Sequence, residues 1–180
     1  MPEPTPCGDL ADAVSDADHA LGPAAAPVTV VEYGDYECPD CLNAVPIMAG
    51  LRQHFGERLR IVFRHFPMSS IHPGASAAAL AAEAAAAQGR FWDMHEALFQ
   101  RQRDLYNVDL THLALRLNFE LYKFDRDRES AESARRLRDH LDSGTRSGVR
   151  GTPTFFINGC RYNGKVDLPS MRAAIEAAQG

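Results

Sequence analysis

A largely apolar, β-branched run, Val28 to Tyr33, gives way at Gly34–Glu37 to a helical period that opens on Pro39, and no other stretch narrows the choice of fold as much. The Val-Thr-Val-Val core of the run is β-branched and lacks polar alternation, so it reads as a strand buried on both faces. From Pro39 to His54 the residues Leu42, Val45 and Leu51, followed by Phe55, recur at helical spacing. Pro39 suits the first turn, where its missing N–H would have no partner anyway. Pro46 falls inside this helix and is expected to kink it. Leu59 to Phe66, Leu-Arg-Ile-Val-Phe-Arg-His-Phe, reads as a second strand, and a crossover through a helix makes it parallel to the first. These segments predict a βαβ unit.

Helix-forming sequence then fills Pro73 to about Ser147. Ala75 to Gln88 is nearly pure alanine and stops at Gly89, while Phe91, Met94, Leu98 and Phe99 mark a second helix. Asp109 is placed to cap a third, turning Leu110, Leu113 and Leu117 inward, and Arg128 to Ser147 is a charged helix with a narrow apolar stripe. Phe91, Trp92, Phe99 and Tyr106 are expected to form the core of this insert. Beyond it, Thr154 to Ile157 is β-rich, Asn158-Gly159 signals a hairpin turn into Cys160, and Asp167 can cap a last helix with Leu168, Met171, Ala174 and Ile175 inward. The expected divisions are an extended N-terminal arm at 1–27, an α/β domain at 28–66 and 149–180, and an all-helical insert at 67–148.

With 24 acidic residues against 19 basic ones, the net charge of −5 argues against nucleic acid or an anionic membrane as partner. No run approaches the roughly 18 to 20 apolar residues of a membrane span, and Met1 to Gly8 lacks the basic-then-apolar pattern of an export signal, so the expected location is cytoplasmic. Four cysteines are too few for a disulfide-stapled scaffold. Cys7, on the arm, reads as a regulatory or intermolecular disulfide partner, and Cys160 as a half-buried hairpin thiol. The histidines at 54, 65, 72 and 95 lack compact ligand spacing and read as structural, so no metal is expected.

The chemistry concentrates at Cys38-Pro39-Asp40-Cys41. A thiolate is the reactive form of cysteine, and unbonded backbone N–H groups with the helix dipole favour negative charge at a helix start. Cys38 is nearest those groups and is the candidate nucleophile. Cys41 follows by about one turn, in reach to displace a mixed disulfide. The same spacing also fits structural or zinc-binding cysteines, so the pair alone leaves both open. Gly151-Thr152-Pro153 stands just before the Thr154 strand, where a proline costs no ladder hydrogen bond. In the cis form it would make a tight turn and present the Thr152 backbone to an extended substrate; in the commoner trans form it would be an ordinary strand start.

Three segments, Val31-Glu32-Tyr33-Gly34-Asp35-Tyr36-Glu37-Cys38-Pro39-Asp40-Cys41, Phe63-Arg64-His65-Phe66-Pro67 and Gly148-Val149-Arg150-Gly151-Thr152-Pro153-Thr154-Phe155-Phe156-Ile157-Asn158-Gly159, resemble the DsbA-like thiol-disulfide oxidoreductases. The resemblance runs from about Val28 to the C-terminus and includes the helical insert. It implies a thioredoxin fold, with a central mixed sheet of about four strands flanked by helices and carrying an all-helical subdomain. It also implies a redox-active pair at Cys38 and Cys41, and a cis Pro153 facing them, with Gly151, Thr152 and Pro153 binding substrate. Cofactors are then none beyond the Cys38–Cys41 disulfide. The partners are cysteine-containing proteins or small thiols, and a redox recycling partner.

Glu32 matches the acidic position that this family keeps on the strand before the cysteines, which suits it to carry the proton Cys41 must lose. Asp40 departs from DsbA itself, where a histidine lies between the cysteines. A cation there stabilises the thiolate and makes a strong oxidant, so Asp40, with Asp35 and Glu37 adding to the negative field, should do the reverse. The expected reduction potential is therefore nearer thioredoxin's, about −270 mV, than DsbA's, about −120 mV. Two other functions compete: a metal-binding module built on the cysteine pair, and a glutathione-linked transferase or isomerase of the same fold, whose members usually dispense with the second cysteine.

Overall fold

A computed structural model describes residues 7–180. Its spine is a five-stranded sheet formed by β1 (His19–Leu21), β2 (Val28–Gly34), β3 (Leu59–His65), β4 (Thr154–Ile157) and β5 (Cys160–Arg161), in the order β1-β3-β2-β4-β5. β1 runs antiparallel to β3, with Ala20 opposite Val62, and β4 antiparallel to β2, with Glu32 opposite Phe155. The Asn158-Gly159 turn carries β4 into β5 with positive φ at both residues, 47° and 82°, the geometry that asparagine and glycine tolerate best. The Thr152–Pro153 peptide bond that leads into β4 is cis.

Two compact units share the chain. The first holds residues up to Gly34, Asn43–Arg64 and Ser143–Gly180, and the second holds Asp35–Leu42 and His65–Asp142. The expected insert began after Phe66; the second unit takes in the cysteine turn as well. In the first unit, Val28 and Val30 pack with Ala44, Met48, Leu51 and Phe55 of α1 (Pro39–Phe55), with Phe155, and with Met171 and Ile175 of α7 (Leu168–Ala178). α1 runs through Pro46 as one element. Asp167 caps α7 by accepting from the Ser170 N–H, as its position in sequence predicts, but Leu168 is 41% exposed instead of facing the core.

The N-terminal segment is no loose arm where it is described. Residues 19–21 add a strand to the sheet, making five where about four were expected. The buried guanidinium of Arg64 grips the segment before it: Nε and Nη2 donate to the Asp18 carboxylate at 2.7 and 3.0 Å, and Nη1 and Nη2 to the carbonyls of Asp12 and Ala13. Nη1 also donates to the Tyr33 and Ser143 hydroxyls, so the buried charge is fully bonded and its pKa is pushed above the ordinary arginine value by Asp18 and Tyr33, against the opposing effect of burial. Gly22 leaves β1 with φ 91°, and a Cβ there would collide with the Leu59 carbonyl. Cys7 and Cys160 form a disulfide, Cα atoms 5.0 Å apart, so Cys160 is not the thiol expected from sequence, and Cys7, expected as a regulatory or intermolecular partner, pairs within the chain. Pro2, Pro4 and Pro6 of the expected arm lie outside the described residues.

The second unit is helical: α2 (Ala75–Ala86), α3 (Phe91–Gln100), α4 (Leu110–Arg116), α5 (Leu121–Arg128) and most of α6 (Ala131–Arg146), with a 3-10 turn at Gln102–Asn107. Asp109 caps α4 through the His112 N–H. α5 was not foreseen, because Phe124 is its one buried residue and the rest of Leu121–Arg128 gives no apolar stripe. Phe91 and Phe99 are core residues of the unit, whereas Tyr106 is 68% exposed. Small side chains make α2 a close-packing helix whose single charged residue, Glu83, is buried against His65 Nε2 at 2.9 Å and Arg136 Nε at 2.6 Å.

The Cys7–Cys160 link spans 153 positions of sequence, so by the chain-entropy account it removes about 5 kcal/mol of freedom from the unfolded chain. Replacing both cysteines by serine is expected to lower unfolding stability by about 2–5 kcal/mol in denaturant titrations. A loss below about 0.5 kcal/mol would show that the segment is held by the Arg64 contacts alone.

Candidate active site

The cysteine turn is organised by Asp35. Its carbonyl accepts the Cys38 N–H at 3.1 Å, and its own N–H donates to the Cys41 sulfur at 3.5 Å, so one residue holds both cysteines. Its carboxylate accepts the Glu37 N–H at 2.8 Å, the two-residues-on contact by which aspartate makes a turn of its own backbone. α1 begins at Pro39, directly after Cys38, and the Cys38 carbonyl accepts the Leu42 N–H at 3.2 Å. Cys38 therefore stands at the helix N-terminus, where backbone N–H groups and the dipole favour a thiolate. Neither cysteine is disulfide-bonded; Cys38 is 6% exposed and Cys41 fully buried.

Side chains from the rest of the second unit hold this turn. The other oxygen of Asp35 accepts the Met68 N–H and bonds His72 Nδ1, both at 2.8 Å. Glu37 accepts the Gly74 N–H at 2.6 Å, and Gln102 Nε2 donates to the Cys38 carbonyl at 2.7 Å. Tyr36 is buried, its hydroxyl 3.1 Å from His95 Nδ1 and its ring 4.9 Å from that of Phe99. Trp92 meets the His95 ring edge-on at 4.9 Å.

The structure brings four of the predicted site residues together in one turn: Cys38, Pro39, Asp40 and Cys41. Pro39 and Asp40 face solvent. In the other unit, Glu32 is 7% exposed in the middle of β2, and Gly151, Thr152 and Pro153 lead into β4. Asp35 and Glu37, expected to add to the negative field on Cys38, each accept from backbone N–H groups, and Asp35 also bonds His72. Asp40 remains as the solvent-facing acidic side chain of the turn, next to the helix dipole that opposes it.

Sequence reasoning missed three contributors, Asp35 as an anchor, His72 and Gln102. The Asp-x-Glu spacing carried a signal for the first, since aspartate commonly accepts the N–H two residues on. Nothing local marks His72 or Gln102, whose partners lie 37 and 64 positions away.

The thioredoxin family matches residues 14–177. A thioredoxin-like oxidoreductase from Silicibacter pomeroyi is 27% identical, with a TM-score of 0.82 over 92% of this chain and 94% of that one. BdbD from Bacillus subtilis is 26% identical, with a TM-score of 0.77 over 89% and 91% of the two chains. Wolbachia pipientis alpha-DsbA1, at 18% identity, shares the fold with a TM-score of 0.79 over 96% of each chain. A Na(+)/H(+) antiporter NhaA 1 from Salinispora arenicola is 44% identical over 163 residues, 91% of this chain but 25% of that protein. The chain thus spans about a quarter of that relative's length, and among the described residues no helix is long and apolar enough to cross a membrane.

Because Asp40 faces solvent, its field on Cys38 is screened. Replacing Asp40 by histidine is expected to raise the reduction potential by about 10–25 mV, measured by equilibration with glutathione buffers. A fall, or a rise beyond about 60 mV, would contradict the screened position.

Proposed function

This chain belongs to the thioredoxin family and has the fold of the DsbA-like thiol-disulfide oxidoreductases, and we propose that it exchanges disulfides through a mixed disulfide on Cys38 that Cys41 resolves. The observation that carries this reading is the placement of the two sulfurs: Cys38 immediately before the first residue of α1, and Cys41 one turn on with a backbone N–H directed at it. The Cys38 thiolate attacks one sulfur of a substrate disulfide, forms a new S–S bond and expels the other substrate sulfur as a thiolate. Cys41, having lost its proton, attacks the Cys38 sulfur; the second substrate thiolate leaves with the bonding electrons, and a Cys38–Cys41 disulfide remains. The substrate gains two electrons and two protons, and the reverse sequence oxidises a dithiol.

Glu32, buried in β2, is by the family resemblance the carboxylate that takes the proton Cys41 must lose. Gly151, Thr152 and Pro153 are the substrate-binding segment by the family resemblance. The substrates are cysteine-containing proteins or small thiols, and a second redox protein restores the resting state. The presence of Cys41 favours disulfide exchange over a glutathione-linked transferase, for which one thiol suffices.

The compartment is where this reading parts from the cytoplasmic expectation. The Cys7–Cys160 disulfide supports work in an oxidising compartment, because cross-links of this structural kind are rare where glutathione and thioredoxin keep thiols reduced.

Cys41→Ser is expected to trap a stoichiometric mixed disulfide with a disulfide-containing peptide, seen as an intact-mass increase that dithiothreitol reverses. Cys38→Ser is expected to lose more than about 99% of insulin-reducing activity, as removal of a covalent nucleophile does. A Cys38→Ser protein that retained its rate, or a Cys41→Ser protein that formed no adduct, would overturn the reading.

A further inference from the structure

Asp35 sits where its two peptide groups each hold one cysteine, the N–H toward the Cys41 sulfur at 3.5 Å and the C=O toward the Cys38 N–H at 3.1 Å. Of the two, only the N–H meets a sulfur, so the orientation of Asp35 decides how that donor is aimed at Cys41. That orientation is fixed by its carboxylate, whose side chain is fully buried and which gathers Glu37 N–H on one oxygen and Met68 N–H and His72 Nδ1 on the other, each at 2.8 Å. Capping the turn needs the Glu37 contact alone. The other two partners come from a segment more than thirty residues away and converge on the same group, which is more than a turn requires.

We propose that Asp35, held in place by His72, is a positioning residue that directs its backbone N–H at the resolving sulfur and so sets the rate at which Cys41 clears the mixed disulfide. The proposal rests on the disulfide-exchange reading. A carboxylate can only accept, so His72 Nδ1 carries the proton in this contact, and the His72 side chain is 18% exposed. During resolution Cys41 gives up its proton, its sulfur attacks Cys38 Sγ, the Cys38–substrate bond breaks, and the substrate sulfur departs with the electron pair and takes a proton from water. An N–H aimed at Cys41 favours the charged sulfur that attacks, because hydrogen bonds to ionised acceptors are about twice as strong as neutral ones. Attack by Cys38 precedes this step and draws on the helix N-terminus instead. The positioning contact therefore acts on the second half of the reaction.

Rapid mixing with glutathione disulfide, acid quench and intact-mass analysis separate formation of the Cys38–glutathione adduct from its decay. In the full chain, His72→Leu removes the donor at a partly exposed position, and His72→Asn restores one, since the amide nitrogen of asparagine can occupy the place of Nδ1. His72→Leu is expected to slow adduct decay about tenfold while formation changes less than about twofold, and His72→Asn to bring decay back to within about threefold of wild type. Asp35→Asn, which turns an acceptor into a donor facing Met68 and His72, is expected to slow decay further. Its burial makes misfolding a risk, so the two His72 variants, each checked for a cooperative thermal transition, decide the matter. Folded His72→Leu protein that resolves at the wild-type rate, or that slows formation and decay alike, overturns the proposal. Wild-type protein that forms no Cys38 adduct at all would overturn the disulfide-exchange reading itself and the proposal with it.

Discussion

The contact on which the cysteine turn depends is the buried carboxylate of Asp35 with its converging donors. A carboxylate fully withdrawn from water is tolerable only when its lone pairs are satisfied, and Glu37, Met68 and His72 do this from two separate segments. The consequence is geometric more than energetic. Because the peptide groups on either side of the Asp35 Cα each hold one cysteine, fixing the side chain fixes the backbone frame of the turn and aims an N–H at the resolving sulfur. Gln102 closes that frame from the other side by donating to the Cys38 carbonyl, and Glu37 secures the Gly74 backbone. Polar networks of this kind, with every member bonded, specify one arrangement where an apolar core would permit several.

The first unit uses the same device for a different end. Arg64 is a buried cation that gathers Asp18, two backbone carbonyls and two hydroxyls, and with the Cys7–Cys160 bond it turns the segment before β1 into part of the fold. Each guanidinium contact is charge-assisted, and the forked pair to Asp18 is a geometry that lysine could not reproduce. The chain therefore places buried charges at two points where irregular backbone must be held, one at the N-terminal segment and one at the cysteine turn.

Periodicity and turn chemistry exposed most of the fold. Val28–Tyr33, Pro39–Phe55 and Thr154–Ile157 are written in strand and helix periods, and Asp109, Asp167 and Asn158-Gly159 mark their caps and turn locally. The misses share one cause. β1 is three residues long, α5 buries a single side chain, and Cys7 finds a partner at the far end of the chain, so none leaves a local pattern. Within the site, Cys38 and Cys41 are legible because helix-start chemistry is local. The roles of His72 and Gln102 are set by contacts across tens of residues, and so is the anchoring of Asp35, whose partners Met68 and His72 lie more than thirty positions on.

The central claim is that Cys38 and Cys41 form one two-electron couple at the head of α1, apart from the Cys7–Cys160 cross-link. Equilibrating the whole chain across a series of reduced-to-oxidised glutathione ratios, and mapping each disulfide by peptide mass, tests it directly. The account predicts a single transition in which Cys38–Cys41 alone converts between dithiol and disulfide, with a slope of about 30 mV per tenfold change in the equilibrium constant, while Cys7–Cys160 stays joined throughout. A protein in which no Cys38–Cys41 disulfide appears at any ratio, or in which Cys7 or Cys160 exchanges with that pair, would contradict it.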